Sequence, residues 1–139
     1  MISTARTEWN GDLFTGSRTT TLASGVATFA VNWKARSEGA EATTTPEEIL
    51  AAAHASCYSM ALSNTLAGAG TPPTALTTDA RVTFKPGEGI TGIELAVVGE
   101  VAGIDQAAFT AAAEDAKVNC PVSSALRAVP ITLVEATLA

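Results

Sequence analysis

The stretch TPEEILAAAHASCYSMALSN, residues 45–64, decides how the rest of the chain must be arranged. Thr45 followed by Pro46 predicts a helix start: the hydroxyl can cap, and Pro at the first helical position lacks only an N–H that would go unused. Glu48, three residues after Thr45, predicts a capping box, and Glu47 and Glu48 both suit the positive end of a helix. About twenty residues then follow without Gly or a second Pro, which predicts a helix of roughly 30 Å. It should stop around Gly68 to Gly70, because Thr71-Pro72-Pro73 prevents continuation. Its side chains are small (Ala51, Ala52, Ala53, Ala55, Ser56, Ser59, Ala61, Ser63), so neighbours can approach closely and the helix reads as buried and central. Leu50, Ala53, Cys57, Met60, Ala61 and Asn64 form one stripe at helical spacing, with Cys57 in its middle.

Before this helix, residues 3–9, 14–22 and 26–33 read as three strands, separated by turns at Asn10-Gly11-Asp12 and Ser24-Gly25. The simplest arrangement is an antiparallel meander. Residues 36–44, RSEGAEATT, read as a polar loop that enters the helix. After it, residues 76–85 and 93–101 predict two strands, joined through Pro86-Gly87-Glu88-Gly89. Asp105 is an N-cap for a second helix, QAAFTAAAEDAKVN, whose large apolar side chains are Phe109 and Val118. Pro121 opens a short third helix, PVSSALRA, and residues 129–138 close the chain as a strand. The order β-β-β-α-β-β-α-α-β predicts an α+β fold of antiparallel strands with helices on one face, in a single domain spanning 1–139.

Nearly half the residues are hydrophobic (47%), but alanine and valine dominate and aromatics are few, so the core is thin and oligomerisation would add burial. The formal net charge of −6, with 8 scattered Lys and Arg residues, argues against nucleic acid as a partner. No run approaches eighteen apolar residues, so no membrane span is expected. The opening MISTARTEWNG is polar and lacks the apolar run of a secretory leader. Together with two cysteines, which form no disulfide framework, this leads us to expect a reducing, cytoplasmic compartment.

One His and two distant Cys give no zinc-ligand spacing, and the Gly-containing stretches match no phosphate-binding fingerprint. A mid-helix cysteine is most often a small packing residue. Here a second cysteine, Cys120, arrives in its own helix-start context, NCPVSSAL, and Arg36 lies eleven residues before Glu47. His54, three residues before Cys57, raises a Cys–His nucleophile pair, although no Asn or Asp on that face is placed to orient the imidazole. A free thiol is only a few per cent ionised at pH 7, and the positive end of the helix is too far from Cys57 to help. An activated Cys57 therefore needs a guanidinium, which could also donate to both oxygens of a peroxide, and Glu47 is the carboxylate that could clamp it. On one helix, ten residues separate Glu47 from Cys57 by roughly 15 Å and about 80° of rotation. Glu47 then either serves only the helix end or acts on a neighbouring subunit.

Two segments, TTTPEEILAAAHASCYSMALS and AKVNCPVSSAL, resemble the osmotically inducible protein C family, sister to the organic hydroperoxide resistance proteins. The resemblance covers nearly the whole chain, and the wording HASCYSMALS is closer to the osmotically inducible branch. It implies a thiol-dependent peroxidase, active as an intertwined homodimer with two sites at the subunit interface, using hydroperoxide substrate and a dithiol reductant. By motif it implies Cys57 as the peroxidatic cysteine, Cys120 as the resolving one, and Arg36 with Glu47 as the guanidinium–carboxylate pair. No cofactor (metal, haem or flavin) is required by that chemistry. The hydroperoxide resistance branch takes its arginine from an earlier segment, where this chain has Arg18 in TGSRTTT; Arg36 matches the osmotically inducible branch. Two rival readings are a non-catalytic dimeric module binding an apolar ligand at its interface, and a Cys–His hydrolase using His54.

Overall fold

The computed structural model describes residues 1–39 and 41–139 and divides into two compact units, Met1–Ile49 and Leu50–Ala139. In the first, β1 (Ala5–Asn10), β2 (Ser17–Leu22) and β3 (Thr28–Asn32) form the expected antiparallel meander in the order β1-β2-β3. Cross-strand hydroxyls support the register: Thr7 and Thr20 lie 2.8 Å apart, Thr21 and Thr28 3.2 Å apart. β2 starts three residues later than expected, because the Asp12 carboxylate accepts the backbone N–H groups of Phe14 (2.8 Å) and Thr15 (2.9 Å) and prolongs the turn.

The first correction falls on Arg36. Residues read as loop belong partly to a helix, α1 (Trp33–Glu38), which Asn32 caps by accepting the Ala35 N–H at 2.7 Å. Gly39, with φ of 76°, ends it, and of the remaining expected loop Ala40 lies outside the described residues. Arg36 thus projects from a capped turn of helix, not from a polar loop.

The long helix, α2, runs unbroken from Pro46 to Gly68. Thr45 caps it as expected, its hydroxyl accepting the Glu48 N–H at 3.0 Å. The capping box is only half closed, since the Glu48 carboxylate accepts instead from the Thr44 hydroxyl. The buried stripe also differs from the expected one. His54, Tyr58, Leu62 and Leu66 are buried at a spacing of four, Cys57 and Ala61 are partly covered, and Ala53, Met60 and Asn64 are exposed. Small side chains are nearly indifferent to which way they face. The large ones choose the side, because burying each Tyr or Leu gains roughly 1.5–3 kcal/mol. Cys57 consequently sits at the margin of the buried stripe.

In the second unit, β4 (Ala75–Lys85) and β5 (Gly89–Glu100) form an antiparallel hairpin, and β6 (Ile131–Leu138) pairs with β5. The expected α+β fold of antiparallel strands holds for every other strand pairing, while this last one is parallel. Between β5 and β6 lie α3 (Gln106–Asn119) and α4 (Pro121–Ala125), and a helical crossover returns the chain to the end where β5 began. Asp105 caps α3 as expected, accepting the Ala108 N–H at 2.8 Å. Leu95 and Val97 of β5 face a core shared with Tyr58, Leu62 and Leu66 of α2 and with Phe109, Ala113 and Ala116 of α3. The buried Tyr58 hydroxyl donates to the Ala113 carbonyl at 2.9 Å, so the core carries no unmet phenol. Val118, on the other hand, points to solvent.

Gly99 on β5 leaves the space that Phe109 fills. A Cβ there would lie 2.5 Å from Phe109 Cε2 and 3.2 Å from Leu76 Cδ2. Gly99→Ala is therefore expected to destabilise the fold by about 1–3 kcal/mol through overpacking. Denaturant unfolding would measure it, and an unchanged midpoint would contradict the packing described.

Candidate active site

The sequence-selected residues fall into two groups, one in each unit. In the first unit Arg36 and Glu47 meet directly. Glu47 Oε1 accepts from Arg36 Nε at 2.9 Å and from Arg36 Nη2 at 2.6 Å. Two donors on one oxygen fix the plane of the guanidinium, as a clamp should. Glu47 is buried, and its second oxygen, Oε2, has no hydrogen-bond partner among the described residues. The Trp33 ring lies 6.0 Å from Arg36 Cζ, and Phe14 meets Trp33 edge-on at 6.2 Å. Trp33 and Arg36 border an open cavity of about 400 Å³, whose wall also includes Trp9, Leu13, Val31 and Ile49. The cavity is lined chiefly by apolar groups with a guanidinium at its edge, which is the composition of a site for a small molecule with an apolar body and a polar end. Arg18 is exposed on β2. With the Asn10 amide turned to offer its oxygen, Arg18 Nε donates to it at 3.0 Å.

In the second unit the two cysteines, both free thiols, lie close enough to interact. Cys57 is partly exposed, whereas Cys120 is fully buried at the junction where α3 ends and α4 begins. Burial pushes the Cys57 thiol up, the Val122 backbone N–H opposes this, and the neighbouring Cys120 adds to the rise. Pro121 at the first position of α4 leaves the next backbone donor, that of Val122, directed at the sulfur.

His54 does not form the Cys–His pair. It lies on the buried stripe, and its Nε2 sits 2.7 Å from Ser123 Oγ, while Nδ1 has no partner among the described residues. Burial lowers the imidazole pKa, so the ring is neutral near pH 7. No nucleophile–base hydrogen bond to Cys57 results, and the hydrolase reading loses its base. The sequence alone did not single out Val122 or the tryptophans of the cavity. For Val122 the Cys-Pro-Val run was the available signal, since Pro at a helix start leaves the next N–H to serve a neighbour.

The OsmC-like protein family matches residues 18–134, a span containing all four candidate residues. Peroxiredoxin OsmC of Escherichia coli (strain K12) is 42% identical over 124 residues, covering 86% of either chain. Among solved structures, the organic hydroperoxide resistance protein OsmC of Legionella pneumophila superposes with a TM-score of 0.75 at 18% identity, covering 99% of this chain and 97% of its own. The organic hydroperoxide resistance protein OhrB of Bacillus subtilis gives 0.68 at 22% identity, covering 98% of each chain. The structures share the α+β fold; the family match and the close relative go further, and this chain belongs to the OsmC-like protein family.

Proposed function

We propose that this chain is a cysteine-based peroxidase that reduces organic hydroperoxides, and hydrogen peroxide as a smaller substrate, with electrons from a dithiol. The observation that carries this reading is the pairing of a partly exposed Cys57 with a buried Cys120, distant in sequence but adjacent in space. The name Peroxiredoxin on the 42% identical relative supports it. In the first step the Cys57 thiolate attacks the O–O bond. One oxygen stays on sulfur as sulfenic acid, and the other leaves as alcohol after gaining a proton. Cys120 then displaces water from the sulfenic acid to form a disulfide, and a dithiol reduces that disulfide by two exchanges. A dithiol thus becomes a disulfide, and the peroxide becomes alcohol and water.

Cys57 needs help to ionise, because burial raises its pKa. Arg36, clamped by Glu47, is the guanidinium suited to that task and to the peroxide oxygens. On the unbroken α2, Glu47 and Cys57 are ten residues apart, so in this proposal each Cys57 receives the Arg36–Glu47 pair of a partner chain in a homodimer. Residues 1–139 act as one domain, in a reducing compartment such as the cytoplasm. Among the described residues no helix is long and apolar enough to cross a membrane. The apolar cavity beside Arg36 also suits a non-catalytic ligand-binding module, and peroxide consumption by the reduced protein separates the two readings.

The choice of arginine is tested by comparing Arg36→Ala with Arg18→Ala. The former is expected to slow peroxide reduction at least roughly tenfold more, which corresponds to about 1.4 kcal/mol in the barrier. Alkylation of Cys57 by iodoacetamide as a function of pH should show the thiol pKa rising in Arg36→Ala. A rise confined to Arg18→Ala would reverse the assignment.

A further inference from the structure

Nothing in the chemistry so far uses His54 and Ser123. His54 precedes Cys57 by three residues, and Ser123 follows Cys120 by three, so each stands one helical turn from a cysteine. Their side chains meet at 2.7 Å in a fully buried setting, His54 at 0% and Ser123 at 5% exposure. This bond joins α2, which carries Cys57, to α4, which carries Val122 and follows directly on Cys120 at its N-cap. His54 Nδ1 is left without a partner among the described residues. Placing the proton on Nε2 leaves a lone pair unmet at Nδ1 in place of an N–H, the less costly of the two, so Nε2–H donates to Ser123 Oγ. A half-satisfied imidazole is an expensive way to fill an apolar core. Its return is direction, because a hydrogen bond sets angle and register where apolar contact does not.

We propose that the His54–Ser123 hydrogen bond is a positioning device that seats the Cys120 turn against Cys57, so that the disulfide closes promptly after peroxide has reacted. The proposal rests on the peroxidase reading above. In the step concerned, Cys120 sulfur attacks the Cys57 sulfenic sulfur along the S–O axis. The S–S bond forms, the S–O bond breaks, and the thiol proton leaves with the oxygen as water. Cys120 is fully buried and sits where α3 passes into α4, so its line of approach depends on how α4 is seated.

The test uses full-length reduced protein given one equivalent of tert-butyl hydroperoxide, with peroxide loss, disulfide formation and dimedone-trapped Cys57 followed separately. In Ser123→Ala, disulfide closure is expected to slow about fivefold, the size expected for one lost buried hydrogen bond, and more Cys57 to be trapped, while peroxide loss changes by less than about twofold. Ser123→Thr, which keeps the hydroxyl, should restore closure. His54→Gln, which keeps an N–H donor, should close faster than His54→Leu. Closure at the wild-type rate in Ser123→Ala, equal slowing in Ser123→Ala and Ser123→Thr, or equal rates in the two His54 variants would each overturn the proposal. A wild-type protein that forms no Cys57 sulfenic acid would instead overturn the peroxidase reading itself.

Discussion

Cys57→Ser is expected to abolish peroxide turnover, whereas Cys120→Ser should consume about one equivalent and then stall unless an external thiol rescues it. The difference follows from exposure. Cys57 is partly open to solvent and receives the Val122 N–H, so it can meet a peroxide, while the neighbouring Cys120 is fully buried. A buried thiol can resolve a neighbouring sulfenic acid but has no route to substrate. Intact mass after one equivalent of alkyl hydroperoxide should show a disulfide, two hydrogens lighter, in the wild type and a single added oxygen in Cys120→Ser. Sustained multiple turnover by Cys57→Ser would exchange the roles of the two cysteines or remove both from the chemistry.

Complementation between chains should give the second large effect. Glu47→Ala and Cys57→Ser proteins are each expected to be inactive alone. Co-refolded into heterodimers, they should regain one working site out of two, built from an intact Cys57 on one chain and an intact Glu47 on the other. The unbroken helix from Pro46 to Gly68 carries both residues, and ten residues of helix put them roughly 15 Å apart. The exposed side of that helix, with Ala52, Ala53, Ser56 and Met60, carries small or flexible side chains that a second copy could approach closely. Mixtures shown by mass to contain heterodimers, yet inactive, would mean that Glu47 serves its own chain or takes no part in the reaction.

What the amino-acid sequence determined by itself was whatever depends on near neighbours. Thr45 and Pro46 start α2, Gly68 closes it, Asp105 caps α3, and the turns around Gly11 and Gly25 give the β1-β2-β3 meander. Each is a short-range matter of caps, turns and prolines, legible because the partners lie within a few residues. Arg36 was found, but its helix was not. The strand pattern runs on to Trp33, and the single Asn32 cap that ends it is a weak signal for a six-residue helix.

Tertiary structure decided the rest. The face that α2 buries was set by Tyr58, Leu62 and Leu66 finding β5 and α3, because a helix of alanine and serine has little preference of its own. The parallel pairing of β6 was set by the α3–α4 crossover, which closes a contact between strands far apart in the chain. The sequence motif singled out Cys57 and Cys120, yet their proximity is a property of α2 packing beside the α3–α4 junction. His54 shows the limit most directly. Its spacing from Cys57 invites a catalytic pair, but burial turned the ring toward Ser123, a partner that no local rule could have named.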